Sequence, residues 1–379
     1  MTIPKTENAS PEPCALGEFG RIARYLRPLA AGCPGALNLT DDAAVLPVPP
    51  GYELVVTTDA MVAGIHFFPD DSPDDIAAKL LRVNLSDLAA MGAAPFAYTL
   101  VLALPPTLQE DWLAAFCAGL KSDQARYGIP LAGGDSVSTP GPITLSVTAL
   151  GLVPCGRALT RRVRGPVDRV AEQRVFVTGT IGDAALGLAL AEGRLGSPPV
   201  SADAAAMLIA RLRRPEPRLG LGLALRDMAT AAIDISDGLI ADLGHIAEVT
   251  GCSAIIEGAR LPLSAAARSL LDWRPDLLAS VVGGGDDYEL VFTAPAGDRA
   301  TVAALAAQHG VAITEIGRLT SAPTGQVEIL DFDGQPLALT RRGWNHFTGA
   351  DRPVAMGTFD PPPPITQAGC ARTPGRDQR

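Results

Sequence analysis

Short runs rich in β-branched and apolar residues occur at 53–58, 143–153, 174–178 and 288–292, interspersed with stretches of helical pattern. Strands interleaved with helices predict an α/β or α+β chain. One helix is specified in detail. Ser72-Pro73-Asp74-Asp75 offers an N-cap residue, a proline at the first helical position and acids in the first turn, so a helix is predicted from there towards Gly92. At about 100° per residue, Ile76, Leu80, Val83 and Met91 share a face, and Asn84 and Asp87 fall in the same stripe. Burying an unpaired carboxylate costs on the order of several kcal/mol, so Asp87 there needs a cation, strong donors or an opening to water.

The basic segment G-R-A-L-T-R-R-V-R-G-P-V at 156–167 is broken by Gly and Pro and predicts a domain boundary. An N-terminal domain is expected over 16–156 and a C-terminal one over 157–349, flanked by polar, proline-bearing ends at 1–15 and 350–379 that are expected to be disordered. A length of 379 residues suits two such domains.

With 47% hydrophobic and 19% charged residues, the composition is that of a globular protein. Asp plus Glu number 41 against 31 Lys plus Arg, which argues against nucleic acid or an anionic membrane as partner. The six cysteines have no C-x-x-C spacing, so neither a zinc cluster nor a disulfide framework is indicated and a reducing cytoplasm is the expected home. The start lacks the apolar core of a signal peptide, and no apolar run approaches the roughly 18 residues of a membrane span.

Acidic residues stand beside apolar runs at five chain reversals. They are Asp41 and Asp42, Asp59 after Thr57 and Thr58, Asp135 after Gly133 and Gly134, Asp234 and Asp237 around Ser236, and Asp286 and Asp287 after three glycines. Any one of them reads equally as a helix cap or an Asx-turn. Asp237 in particular stands where a helix N-cap would stand. Five together point further, because convergent carboxylates repel one another and need compensating positive charge, most simply a group of several Mg²⁺ ions with oxygen ligands. Magnesium in turn suggests phosphoryl transfer.

The usual phosphate-binding loops are missing: there is no G-x-x-x-x-G-K-[ST] and no G-x-G-x-x-G opening a helix after a strand. Lysine is confined to Lys5, Lys79 and Lys121, leaving metals, glycine-loop amides and arginines such as Arg161 and Arg162 to hold phosphate. D-D-S-P-D at 70–74 matches an all-helical diphosphate-binding motif, but Pro73 places it at a helix start in a β-containing chain. Four histidines and no G-x-S-x-G give a serine-hydrolase triad no support. His66, beside Phe67 and Phe68, reads as a packed residue or a substrate contact.

The motifs T-T-D-A-M-V-A-G-I-H-F, K-L-L-R-V-N-L-S-D-L-A-A-M-G-A-A-P, A-G-G-D-S, G-R-A-L-T-R, R-R-P-E-P-R, A-I-D-I-S-D-G-L-I-A-D-L-G-H-I, G-G-G-D-D-Y-E-L and G-W-N-H-F occur in that order. Together they resemble the thiamine-monophosphate kinases over about residues 16–347. The resemblance implies transfer of the ATP γ-phosphoryl group to thiamine monophosphate, giving thiamine diphosphate and ADP. It also implies a two-domain aminoimidazole ribonucleotide synthetase-like fold, whose N-terminal ATP- and Mg-binding domain pairs its sheet in a homodimer. Carried over by position, Asp42, Thr57, Thr58, Asp59, Asp87, Asp135, Asp234 and Asp237 look like magnesium ligands. Gly134, Asp135, Arg161 and Ser236 look like ATP contacts, and His66, Asp286 and Trp344 occupy substrate positions. No catalytic side chain is implied, because the acceptor is already an ionised phosphate and transfer is direct and in line.

Two departures stand out: N-L-T-D-D at 38–42 replaces a usual G-I-G-D-D, and Asp286 stands where Glu is frequent. The rival readings are a sister enzyme of the same fold and a non-catalytic nucleotide- or metal-binding module. A selenophosphate synthetase is expected to carry a reactive Cys near a glycine-rich start, and a hydrogenase maturation factor ends in Cys where this chain ends in Gln378-Arg379.

Overall fold

The computed structural model describes residues 16–165, 167–339 and 343–344. The proposed disordered ends at 1–15 and 350–379 lie outside the described residues.

Strands β1 (Tyr52–Val62), β2 (Ala94–Leu104), β3 (Leu131–Ser138) and β4 (Thr144–Pro154) form one sheet in the order β1-β4-β2-β3. β4 pairs antiparallel with both β1 and β2, and β3 runs parallel to β2. After the short α1 (Glu18–Arg21), the helices of this half are α2 (Pro73–Ala90) and α3 (Glu110–Tyr127), packed on one sheet face. Leu80, Leu81, Leu85 and Leu88 of α2 interlock there with Leu145, Val147 and Ala149 of β4. The other face is largely bare. Leu54, Val56, Val101 and Val137 lie exposed on it, with Val56 58% accessible.

The second sheet has the order β10-β7-β9-β5-β8-β6, built from β5 (Gln173–Thr178), β6 (Ala231–Asp234), β7 (Ser253–Glu257), β8 (Leu290–Pro295), β9 (Ile313–Thr320) and β10 (Val327–Leu330). Helices α4 (Asp183–Ala191), α5 (Ala202–Arg213), α6 (Leu219–Leu225), α7 (Leu239–Thr250), α8 (Ala265–Trp273), α9 (Leu278–Gly283) and α10 (Arg299–His309) surround it. The strand expected at 288–292 begins two residues later. Tyr288 has a positive φ of 50°, and the Glu289 carboxylate is buried against Arg211, Arg218 and Thr178.

α2 starts at Pro73 as its sequence predicts, with Ser72 at the N-cap, but the Ser72 hydroxyl donates to Asp75 Oδ2 instead of accepting a backbone amide. Nor is α2 apolar along one stripe only. It is buried almost all round, because Ala89 and Ala90 pack with Leu221, Leu225 and Phe292 of the second half. Its buried polar groups are all matched: Arg82 makes paired hydrogen bonds of 2.7 and 2.8 Å to Asp123, and Asn84 donates to Leu80 O. Buried polar groups need such partners.

Candidate active site

The alternation of β1 turns Thr57 and Asp59 towards α2. There the Thr57 hydroxyl donates to Asp87 Oδ2, and the Asp59 amide donates to Asn84 Oδ1 at 3.1 Å. From the second half, β6 sends Ile233 and its successor Ile235 into its own core and Asp234 to the opposite side, where Ser86 Oγ of α2 donates to Asp234 Oδ2 at 2.7 Å. Two-residue alternation thus separates anchors from site residues, as expected for a strand. Asp59, Asp87 and Asp234 come together where the two halves meet.

Their electrostatics are those of crowded anions. Burial, then the Asp87 charge and a hydrogen bond with Asp87, raise the Asp59 carboxyl to about 7. Burial also raises Asp87, against the opposing pull of the Thr57 hydrogen bond and the Arg161 guanidinium. Asp234 is pushed well above the usual carboxylate range by burial and by the Asp87 charge, with Ser86 opposing. Exposed Arg161 is therefore close enough to act on the cluster.

Among the described residues, no three carboxylate, imidazole or thiol groups already surround one point as a closed metal cage. The donors nevertheless suit Mg²⁺, which takes oxygen ligands and characteristically completes its shell with water and substrate phosphates around one or two carboxylates. A cation would relieve the repulsion that lifts these carboxyls.

The turn after β6 carries Ser236 and Asp237. Asp237 does not cap the helix, since Gly238 holds the N-cap position of α7 and Asp237 stands one residue before it. Asp242, buried in the first turn of α7, accepts the amides of Ser236, Asp237 and Gly238 on the single oxygen Oδ2, at 3.0, 3.0 and 3.1 Å. Burial, joined by the Asp237 charge, raises the Asp242 carboxyl to about 7 against those three bonds.

His66, Asp286 and Trp344 line one cavity of about 520 Å³, with Lys79 on its α2 side. The Val62 amide donates to His66 Nδ1 at 3.0 Å, fixing the ring. Buried Lys79 donates to His66 O at 3.0 Å and to Asp286 Oδ2 at 3.2 Å, tying both cavity loops to α2. Asp286 has a φ of 63°, a conformation uncommon for a residue with a side chain and frequent at functional sites. The turn fits there because Gly285 precedes it: a Cβ on Gly285 would lie 2.3 Å from Ser236 O.

Asp42, Gly134 and Asp135 line a different cavity of about 440 Å³, together with Asp41, Leu39 and Thr99. β3 passes so close to β2 that a Cβ on Gly134 would lie 1.9 Å from Leu100 O, so only glycine fits. Asp135 is exposed, with Oδ1 accepting from the Ser136 amide. The chain leading into and through Asn38-Leu39 adopts with strain what glycine adopts freely, for Leu37, Asn38 and Leu39 all have φ between 51° and 56°, while Thr40 returns to −113°. The eight expected ligands are thus divided. Thr57, Asp59, Asp87 and Asp234 meet, with Asp237 in the adjoining turn, while Asp42 and Asp135 line the second cavity. Thr58 lies exposed on the other sheet face, where its hydroxyl accepts from Thr148 Oγ1 at 3.1 Å.

Ser86, Lys79 and Asp242 were not singled out as site residues from sequence. Lys79 and Ser86 share the polar side of a helix that has no exposed face, and Asp242 looks like an ordinary first-turn acid. The available signal was their spacing from Asp87 and from I-S-D-G.

Two halves with this topology, joined by a carboxylate cluster, define the class. The chain matches the family models of the AIR synthase related protein, N-terminal domain, over residues 40–153, and C-terminal domain, over residues 170–329. It is 43% identical over 341 residues to a thiamine-monophosphate kinase of Caulobacter vibrioides, covering 89% of this chain and 93% of that one. The crystal structure of thiamine-monophosphate kinase from Stenotrophomonas maltophilia superposes with a TM-score of 0.70 at 42% identity, over 79% of this chain and 91% of that one. AaThiL complexed with AMPPCP and TMP superposes with a TM-score of 0.68 at 29% identity, over 87% of this chain and 97% of that one. The chain belongs to the thiamine-monophosphate kinase family.

Proposed function

We propose that the protein is an ATP-dependent kinase that transfers the γ-phosphoryl group of ATP to the phosphate of thiamine monophosphate, releasing thiamine diphosphate and ADP. The observation that carries this is the meeting of Asp59, Asp87 and Asp234 from both halves, with the cavity of His66, Asp286 and Trp344 alongside. The complex of AaThiL with AMPPCP and TMP supports the same pair of ligands here.

In this reading, Asp59, Asp87 and Asp234, with Thr57 and Asp237, would hold Mg²⁺ at the cluster, Asp42 and Asp135 would hold a further Mg²⁺ in the second cavity on the nucleotide side, and Thr58, turned to the other sheet face, would take no part in the cluster. Mg²⁺, when bound, neutralises charge on the transferring phosphates. Gly134, Asp135, Ser236 and Arg161 contact ATP. In the cavity, the Trp344 ring offers a π face to the cationic thiazolium. Asp286, steadied by Lys79, supplies a countercharge, and His66 orients the remaining ring. No side chain need act as nucleophile or strong base, since the acceptor oxygen is already ionised; the protein's work is alignment and exclusion of water.

The 16–156 half is read as the nucleotide-binding and dimerisation domain and 157–349 as its α/β partner. The uncovered sheet face with Leu54, Val56, Val101 and Val137 supports pairing with a second copy, because exposed apolar sheet faces of this kind mark protein contacts. Among the described residues no helix is long and apolar enough to cross a membrane, and the cytoplasm is the proposed location.

The test is ADP release in a coupled assay. Release that requires both thiamine monophosphate and Mg²⁺ is expected; ATP binding without turnover would overturn the kinase reading in favour of a binding module.

A further inference from the structure

The turn Ile235–Gly238 has all of its backbone groups engaged. On one side the Ile235 amide donates to Glu289 O at 2.8 Å, and the next three amides donate to Asp242 Oδ2. On the other, Ile235 O accepts from the Tyr288 amide and Ser236 O from the Asp286 amide, both at 2.8 Å. Asp237 O accepts from the Trp344 amide at 3.0 Å, and Gly238 O from the Asp242 amide at 3.0 Å. The carbonyls of this turn therefore hold the backbones of Asp286 and Trp344, two residues that line the 520 Å³ cavity from distant parts of the chain.

We infer that Asp242 is the positioning residue of this cavity. One carboxylate oxygen gripping three successive amides fixes the tilt of the 235–238 peptides, a filled backbone nest. Their carbonyls point where those tilts send them, so both cavity walls take their position from a side chain that does not itself line the cavity. The same grip occupies amides at a helix start that would otherwise invite a phosphate. Ser236 is thereby left to meet nucleotide through its hydroxyl alone. The inference rests on the proposed function for its substrate, but the arrangement itself does not.

Asp242→Ala and Asp242→Asn in the full chain test it, the asparagine keeping one side-chain oxygen to accept amides. With folding verified by circular dichroism, Asp242→Ala is expected to raise KM for thiamine monophosphate by about tenfold or more, the scale of losing hydrogen bonds to a charged group. Asp242→Asn should fall between Asp242→Ala and the unaltered protein. Amide hydrogen exchange on the ligand-free protein supplies a readout that needs no turnover: peptides spanning 284–290 and the one bearing Trp344 should lose protection along with 235–238. Loss confined to the first turn of α7, with KM within about twofold of the unaltered protein, would overturn the inference. If the unaltered protein does not phosphorylate thiamine monophosphate, the proposed function fails and the exchange pattern alone decides the role of Asp242. Should Asp242→Ala not fold, Asp242→Asn carries the same two measurements.

Discussion

Ser86 Oγ of α2 donates to Asp234 Oδ2 of β6 at 2.7 Å, a buried bond that joins helix α2 to the second sheet at the carboxylate cluster. Ser86→Ala leaves that oxygen buried without its donor, at a cost of about 1–3 kcal/mol. A lower denaturant midpoint with unchanged slope is expected. An unchanged midpoint would mean that water replaces the hydroxyl.

The crowding at Asp59 and Asp87 predicts opposite effects on stability and activity. Asp87→Asn removes a buried negative charge beside Asp59 and Asp234, so the metal-free protein should gain about 1 kcal/mol. Turnover should fall by roughly 10²-fold or more, the scale of losing one preorganised electrostatic contact. A variant near the unaltered rate at saturating Mg²⁺ would remove Asp87 from the ligand set.

The pH dependence follows from the raised Asp59 carboxyl. Its ordinary value is 3.8 and burial with the Asp87 charge lifts it to about 7, so between those values the folded state holds a proton that the unfolded chain has released. Stability contributed by this group is present below the lower value and lost as pH rises through the upper one. Without metal, Tm should therefore fall between pH 5 and pH 8. Mg²⁺ should raise Tm more at pH 8 than at pH 5, since it competes with the proton. An equal gain at both would show that it binds elsewhere.

Lys79 ties Asp286 to α2, and Lys79→Met strips the Asp286 carboxylate of that partner. KM for thiamine monophosphate should rise while KM for ATP changes little. Adding Asp286→Asn to Lys79→Met should then cost less than the sum of the single changes, which a double-mutant cycle measures.

Val56→Lys sets a charge on the bare face of the first sheet without disturbing the packed one. If that face pairs with a second copy, the variant should sediment as a monomer where the unaltered protein is a dimer. Equal sedimentation of the two would exclude this face as the interface.

Periodicity carried far in α2 and β6. Asp87 within an apolar stripe and Asp234 between two core isoleucines were legible as site residues, because a carboxylate set into a buried pattern is costly unless a cation or a strong donor meets it. Their meeting was not, since it depends on two sheets docking around one helix. Asp42 and Asp135 share the local signature of the others, an acid beside an apolar run at a chain reversal, yet line another cavity. That signature records a turn and not its place in the fold. Of the two roles open to Asp237, cap and ligand, the cap falls to Gly238, and the residue that closes the turn is Asp242, which only the folded backbone brings under those amides. The strand start at Leu290 was hidden because nothing local distinguishes a ladder residue from Glu289, whose carboxylate turns into two arginines.

α2 is core to both halves, with Leu80 and Leu85 in one and Ala89 and Ala90 in the other. Neither half can melt without stripping this helix on one side, so unfolding should be a single cooperative event despite two sheets and two family segments. In a calorimeter that is one endotherm whose van't Hoff and calorimetric enthalpies agree. A proteolytic cut in 156–165 should accordingly leave two fragments that stay together until both unfold.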